Sequence, residues 1–275
     1  MSEVDYARAP VLLFDPVHVN QRTSRYALFE MGFRQIECVS SVTDFKSCLT
    51  ETAPALIVAE SSATDVDVFK FVRSIRRSDL GRNPFVVILL TTWSRDTNHI
   101  RRAIECGADD VIVRPFSTMF AAERVRTLIR DRKPFIVTSD YVGPDRRKST
   151  DRDSDTHPLA VPNFLQAMVN GDDAAISRAN SWVREAQDVV IAERLRRMAM
   201  RIVISVEIQL TKPTDGSMPV RLDVLDMART ARELRVQLIK AARAEAAEVG
   251  TALIEQITSL GDGAGASART LQLIK

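Results

Sequence analysis

Cysteine, histidine and long apolar runs are all scarce in this sequence. Its three cysteines, Cys38, Cys48 and Cys106, are odd in number and lack the paired spacing of a metal site, so we expect the reduced thiols of a cytoplasmic protein. No apolar run approaches the roughly 18 residues that span a membrane. Lysine and arginine total 38 against 36 aspartate and glutamate, and no segment is a basic block. Nucleic-acid binding therefore lacks its usual electrostatic basis.

The first half of the sequence alternates apolar segments of strand length with amphipathic segments of helix length. The apolar segments are rich in β-branched residues and show no polar alternation, as in strands that are buried on both faces of a parallel sheet. We place strands at residues 11–14, 35–39, 54–60, 84–91 and 111–113, and helices at 20–32, 42–51, 66–78, 97–106 and 117–130. Five such pairs predict an α/β fold with a doubly wound, five-stranded parallel sheet.

Four polar side chains stand at or just after the ends of predicted strands: Asp15, Glu60, Thr91 and Arg114. The carboxyl ends of parallel strands face the crevice where open α/β sheets bind ligands, so we expect these side chains to lie together. Arg114 carries a planar guanidinium that can hold a carboxylate through two hydrogen bonds. The sequence therefore predicts a Glu60–Arg114 ion pair, with Asp15 and Thr91 beside it.

The stretch Gly107-Ala-Asp-Asp-Val-Ile-Val-Arg-Pro-Phe116 resembles the last strand of the response-regulator receiver domain. In that family the pattern Gly-Ala-Asp-Asp-x-x-x-Lys-Pro-Phe carries an essential lysine. Together with the spacing of the other strands, the resemblance covers about residues 9–131 and implies the flavodoxin-like receiver fold. It further implies the position of each family function: the magnesium-binding acid at Asp15, the phosphoacceptor at Glu60, the hydroxyl that contacts the phosphoryl group at Thr91, and the lysine at Arg114.

The sequence departs from the family at several of these positions. Pro16 replaces a second acid and removes a carboxylate that would hold Mg²⁺, so we expect weak or absent magnesium binding. Glu60 is longer than aspartate by about 1.5 Å, and a misplacement of about 1 Å can cost two orders of magnitude in rate. Val111 stands where the family has an aromatic switch residue, and Arg114 replaces the lysine. These changes predict a pseudo-receiver with a degenerate phosphoacceptor site, no cofactor and no catalysis.

Three other interpretations remain open. The first is a conventional regulator switched by phosphorylation, with tolerant site residues or a neighbouring acceptor such as Asp65 or Asp67, although both acids also suit the start of a helix. The second is a DNA-binding transcriptional regulator. The third, based on Arg146 and Arg147, is a sensor of an anionic nucleotide.

Residues 132–162 are polar and charged and contain four prolines, which predicts a linker. Within it, Tyr141-Val-Gly-Pro-Asp-Arg-Arg147 looks similar to a Tyr-x-Gly-Pro-Asp/Glu-Arg-Arg segment that follows receivers in some bacterial regulators. Tyr141, Arg146 and Arg147 are its candidate docking residues. We leave open whether the segment is a solvated linker, docks on a partner or docks on the receiver of its own chain.

Residues 163–260 predict an all-α interaction domain, followed by a flexible tail at 261–275. We place helices at 163–170, at 172–210 with a break near Gln187 left open, and at 220–260. Two apolar stripes recur at the 3.6-residue period of straight bundle helices: Ile191, Leu195, Met198, Ile202, Val206 and Leu210; and Val224, Met227, Ala231, Leu234, Leu238, Ala242, Ala246, Val249, Leu253, Ile257 and Leu260. Two such helices bury little alone, so we expect a homodimer that forms a four-helix bundle.

The helical half lacks the residues and motifs on which common enzymatic chemistries depend. None of His18, His99 and His157 lies in the long helices, which excludes the phosphotransfer of histidine-bearing bundles. The half also lacks metal-ligand spacings, glycine-rich phosphate loops and a nucleophile beside a base. These absences predict a non-enzymatic protein. The receiver resemblance implies that it belongs to a bacterial two-component phosphorelay and that its partner is a histidine kinase or another regulator, and we expect contact with neither nucleic acid nor membrane.

Overall fold

The computed structural model describes residues 4–63, 66–147, 158–211 and 221–261. It divides into two compact units, Met1–Val189 and Val190–Lys275. The first unit contains five strands: β1 Val11–Phe14, β2 Ile36–Val39, β3 Leu56–Glu60, β4 Val87–Thr92 and β5 Asp110–Val113. They form one parallel sheet in the order β2-β1-β3-β4-β5. This is the flavodoxin-like order, and it confirms the predicted fold class.

Five helices alternate with these strands: α1 His18–Glu30, α2 Val42–Glu51, α3 Val68–Arg76, α4 Thr97–Glu105 and α5 Thr118–Arg130. Four of the helices begin at a Ser or Asp whose side chain accepts a hydrogen bond from a backbone N–H of the first turn: Ser41, Asp67, Asp96 and Ser117. Every residue of β1, β3 and β4 is buried. One face of the sheet packs against α1 and α5, and the other packs against α2, α3 and α4.

The segment predicted as a linker contains ordered structure. Strands β6 Phe135–Val137 and β7 Val142–Pro144 form an antiparallel hairpin, and Leu159 pairs with Phe135 on the other side of β6. The Phe135 side chain is fully buried, with the guanidinium carbons of Arg76 and Arg132 5.0 and 5.1 Å from its ring centroid. Residues 132–147 therefore do not form the solvated linker that their polar composition suggested, because their few apolar side chains are buried against the sheet domain.

The short helix α6, Phe164–Val169, also belongs to the first unit. Leu165 and Val169 are fully buried in the core that covers one face of the sheet, and the Asp5 N–H donates to the Val169 carbonyl at 2.7 Å. The structural division after Val189 therefore differs from the predicted boundary at residue 162. Composition grouped α6 with the later helices, whereas its apolar side chains complete the core of the sheet domain.

Three further helices follow: α7 Asp173–Thr211, α8 Arg221–Lys240 and α9 Ala244–Gly261. Helix α7 is continuous through Gln187, so the break left open there is absent. The single helix predicted at 220–260 is wrong, because the chain turns at Ala241–Arg243, where Ala242 has a φ of +55°. In this turn the Arg243 N–H donates to the Leu238 carbonyl, which ends α8 in a left-handed cap without glycine.

The turn changes which side chains face the core of the second unit. The first apolar stripe is buried through Met198, Ile202 and Val206, and the second is buried or half-buried up to Leu238. Beyond the turn, Val249 is 70% exposed and Ala247 is buried instead. Because the stripes pack on each other within one chain, the reason given for a homodimer no longer applies, and the dimer itself stays a prediction. No helix among the described residues has the length and apolarity to cross a membrane.

The position of α6 yields a first prediction. Replacing the buried Leu165 by alanine should lower the free energy of unfolding by about 2–5 kcal/mol, because the substitution leaves a cavity in the core of the sheet domain. The matched control is Leu225→Ala, since that leucine is 59% exposed, and it should cost less than about 0.5 kcal/mol. Urea unfolding followed by circular dichroism measures both. Equal losses for the two variants would show that α6 does not contribute to this core.

Candidate functional site

The four side chains predicted to meet do meet at the carboxyl edge of the sheet. Asp15 follows β1, Glu60 ends β3, Thr91 lies in β4 and Arg114 follows β5. All four are buried, with exposed fractions from 0% for Asp15 to 5% for Arg114. Parallel pairing of β1, β3, β4 and β5 places the ends of these strands side by side and thereby fixes the site.

The Arg114 guanidinium is the centre of this site. Its Nε donates to Glu60 Oε2 at 3.0 Å, so the predicted ion pair is present. Its Nη2 donates to Thr91 Oγ1 at 3.3 Å and lies 3.4 Å from Asp15 Oδ2. The Thr91 hydroxyl in turn donates to Glu60 Oε2 at 2.8 Å. The arrangement is a closed network in which one cation bridges two carboxylates.

The network contains more negative than positive charge. Burial raises the pKa of Asp15 above its usual range, and the nearby Glu60 carboxylate adds to that rise. The Val17 N–H, which donates to Asp15 Oδ1 at 2.9 Å, and the Arg114 charge oppose the rise without cancelling it. Two carboxylates that face one guanidinium in a water-poor site therefore make Asp15 easier to protonate than an exposed aspartate.

Four neighbours of this network were not predicted as parts of it. Ser24 on α1 accepts from Arg114 Nη2 at 2.7 Å, and the Ser62 N–H donates to Glu60 Oε1 at 2.9 Å. The rings of Trp93 and Phe116 lie 5.9 and 5.2 Å from the guanidinium carbon of Arg114. Ser24 shares the buried face of α1 with Ala27 and Leu28. Of these four neighbours, only Ser24 is indicated by the sequence, because a serine on an otherwise apolar helix face needs a hydrogen-bond partner when it is buried.

The site does not suit the magnesium ion that the receiver resemblance implies. Mg²⁺ needs near-octahedral oxygen ligands and usually binds through carboxylates and waters. Here Asp15 and Glu60 both face the Arg114 cation, and Pro16 supplies no side-chain oxygen. Among the described residues, no group of three or more His, Cys, Asp or Glu side chains is placed to hold a metal ion.

The remaining predicted positions lie outside this network. Val111 is half-buried among the apolar side chains under α3 and α4. Asp67 caps α3 by accepting a hydrogen bond from the Lys70 N–H at 3.1 Å. It therefore occupies the start of a helix, the position that was considered for it beside the role of phosphoacceptor. Asp65, the other acid considered as an acceptor, lies outside the described residues.

A second buried charge cluster lies at the opposite, amino end of the sheet, and sequence reasoning missed it. Asp109 accepts from Arg76 at 2.7 Å and from Arg132 at 2.8 Å. The two arginines outweigh the effect of burial and hold the pKa of Asp109 below its usual value. Burial lowers the pKa of Arg76 to about 10, so this side chain remains charged at neutral pH. The cluster fixes the turn between α4 and β5.

One of the candidate docking residues of the linker, Arg146, contacts this same turn. Arg146 Nη2 donates to the carbonyl oxygens of Ala108 and Asp109 at 2.7 and 3.0 Å. The Tyr141 hydroxyl donates to the Pro144 carbonyl at 2.9 Å within the hairpin. Arg147 is exposed and pairs with Asp145. Of the interpretations left open, the structure shows the segment docked on the sheet domain of its own chain.

Sequence comparison finds relatives of the N-terminal part of the chain, whereas no known protein-family profile matches it. It is 30% identical over 123 residues to the transcriptional regulatory protein GltR of Pseudomonas aeruginosa, covering 45% of this chain and 49% of that protein. It is 28% identical over 116 residues to the phosphate regulon transcriptional regulatory protein PhoB of Rhizobium meliloti, covering 42% and 49%. The chain spans about half the length of these curated relatives, which are response regulators.

Two similar solved structures are the signal receiver domain of a response regulator from Bermanella marisrubri and that of a histidine kinase from Syntrophus aciditrophicus. They are 21% and 22% identical, with TM-scores of 0.40 for both. The matches cover 44% and 53% of this chain, and 98% and 99% of the solved chains. Because the curated relatives are named as transcriptional regulators, the comparisons do not support the expectation that nucleic acid is no partner.

The Arg114 network yields a second prediction. Arg114→Met should lower the free energy of unfolding by about 3–5 kcal/mol, because it leaves Glu60 and Asp15 buried without a counter-charge. Adding Glu60→Gln to this variant should restore part of the loss, since it removes one of the two uncompensated charges. Urea unfolding of the single and double variants measures both effects.

The matched control for this prediction is Arg124→Met on α5. Arg124 pairs with Asp110, but its side chain is 41% exposed. A solvent-screened pair of this kind contributes less than about 1 kcal/mol. A loss at Arg114 no larger than the loss at Arg124 would contradict the view that the network holds the carboxyl edge of the sheet together.

Proposed function

We propose that the chain is a signalling protein of a bacterial two-component system whose receiver is not switched by phosphorylation. It works through protein–protein contact and catalyses no reaction. The observation that carries the proposal is the Arg114 guanidinium, which lies 3.0 Å from the Glu60 carboxylate and donates to Thr91 as well. In the resembled receivers, these are the positions of the lysine, the phosphoacceptor and the hydroxyl that contact a phosphoryl group.

A phosphoryl group at Glu60 would have to displace existing contacts. Glu60 Oε2 accepts from both Arg114 and Thr91, and Oε1 accepts from the Ser62 N–H, so both carboxylate oxygens are already bonded inside the protein. Transfer to this carboxylate would also proceed without well-held magnesium, because Pro16 removes a ligand. The internal cation takes the place of an external group and keeps the site in one state.

The surface beside the site suits a protein partner. Trp93, Met119 and Phe120 follow the carboxyl ends of β4 and β5, and are 50%, 79% and 50% exposed. Exposed apolar groups of this size next to polar rims are typical of protein-binding surfaces. We propose a histidine kinase or another regulator as the partner at this edge. The conventional regulator that is switched by phosphorylation is the competing interpretation.

Acetyl phosphate separates these two interpretations. After incubation of the full chain with acetyl phosphate and Mg²⁺, intact-mass spectrometry should show no added phosphoryl group on the wild-type chain. The matched control restores the family residues through Pro16→Asp, Glu60→Asp and Arg114→Lys, and this variant should gain one acid-stable, hydroxylamine-sensitive phosphoryl group. A phosphoryl group on the wild-type chain, at Glu60 or at a neighbouring acid, contradicts the proposal.

A further inference from the structure

Hairpin residues 135–146, here called the strap, contact the sheet domain through backbone as well as through side chains. At one close approach, Gly143 of β7 lies against Gly107, which ends the turn after α4 with a φ of +99°. A Cβ on Gly143 would lie 2.8 Å from the Gly107 Cα, and a Cβ on Gly107 would lie 2.6 Å from the Val142 carbonyl oxygen. Neither glycine has room for a side chain. Val142 and Gly143, in the middle of the Tyr-Val-Gly-Pro-Asp-Arg sequence, therefore fit against a turn that has no side chain at residue 107.

Arg146 fastens the strap to Asp109, the residue whose carboxylate is held by the buried charge cluster. Its guanidinium donates to the Ala108 and Asp109 carbonyls, while Arg76 and Arg132 hold the Asp109 carboxylate. Within the described part of the chain, no carboxylate lies within ion-pair distance of Arg146. The strap is thus fastened to Asp109 by neutral acceptors, which hold a cation less firmly than the carboxylate holds Arg76 and Arg132.

The other end of the strap, at Phe135, pairs with the segment that precedes α6. Phe135 and Leu159 exchange two backbone hydrogen bonds of 2.8 and 2.7 Å. Arg132, which holds Asp109, also donates to the Pro162 carbonyl at 2.9 Å. The next residue, Asn163, caps α6 by accepting from the Gln166 N–H. One continuous set of contacts therefore joins the start of β5 to the start of α6.

We propose that the strap is a coupling element that makes the position of α6 depend on the turn before β5. The Tyr-Val-Gly-Pro-Asp-Arg sequence is its anchor, and Arg146 is the contact that fastens it. When the anchor is released, the α4–β5 turn and the segment that leads into α6 loosen together, while the rest of the sheet domain keeps its structure. This coupling does not depend on the chemistry of the Arg114 site.

Hydrogen–deuterium exchange of the full chain tests the coupling. Arg146→Ala should raise amide exchange at least about tenfold in two segments, residues 107–110 and 159–169, because the variant loses two charge-assisted hydrogen bonds. Gly143→Ala should give the same pattern through a steric clash rather than a lost charge. The matched control is Arg147→Ala, which removes an exposed arginine that follows the anchor and pairs with Asp145 on its solvent side; it should leave both segments within about twofold of wild type. Amides of α2 report on the rest of the domain and should not change.

Each other outcome overturns the proposal. Unchanged exchange in both variants means that the anchor holds nothing, and acceleration in only one segment means that the two ends are not coupled. Equal effects of Arg146→Ala and Arg147→Ala indicate a general charge effect, and faster exchange in α2 indicates global loss of stability. If Arg146→Ala does not fold, Arg146→Lys keeps the charge and one hydrogen bond, and it should show the same two-segment pattern with a smaller increase.

Discussion

The ion pair of Arg114 with Glu60 is the interaction on which the carboxyl edge of the sheet depends. A guanidinium and two carboxylates lie in a site where no member is more than 5% exposed. Removing these charges from water is costly, and the cost is offset only because Thr91 and Ser24 supply further hydrogen bonds in good geometry. A lysine could not replace this arginine, since its point charge lacks the planar fork that reaches Glu60 and Ser24 at once.

The two buried clusters are opposite in charge and hold the two ends of one strand. At the carboxyl end of β5, one cation faces the carboxylates of Asp15 and Glu60. At the amino end, the single carboxylate of Asp109 faces two cations. Strand β5 lies at the edge of the sheet and has a neighbour on one side only. Side-chain contacts at both ends therefore hold this edge strand in addition to its single ladder with β4.

Sequence reasoning succeeded where local pattern and topology suffice. The strand order of a doubly wound sheet places Asp15, Glu60, Thr91 and Arg114 together, so that site could be predicted without coordinates. The strap could not, because its burial depends on contacts with Asp109 and Gly107 that are distant in sequence. The turn at Ala242 was missed because no glycine or proline marks it. An alanine adopts a left-handed φ there, and the packing of α8 on α9 compensates for a cost of roughly 1 kcal/mol.

Under the proposed function, the group that fills the Arg114 site decides how the sheet domain can carry information. A phosphoryl group is added and removed, so its presence can report a stimulus. Arg114 is part of the same chain as Glu60 and is therefore always available to it. If the site is always filled, its occupancy cannot be the signal. Under the proposed function, the signal must enter through a contact that can be made and broken, either at the exposed edge near Trp93 or at the turn held by Arg146. In that proposal, the ion pairs of Arg114 hold the carboxyl edge of the sheet in the arrangement on which those contacts are made.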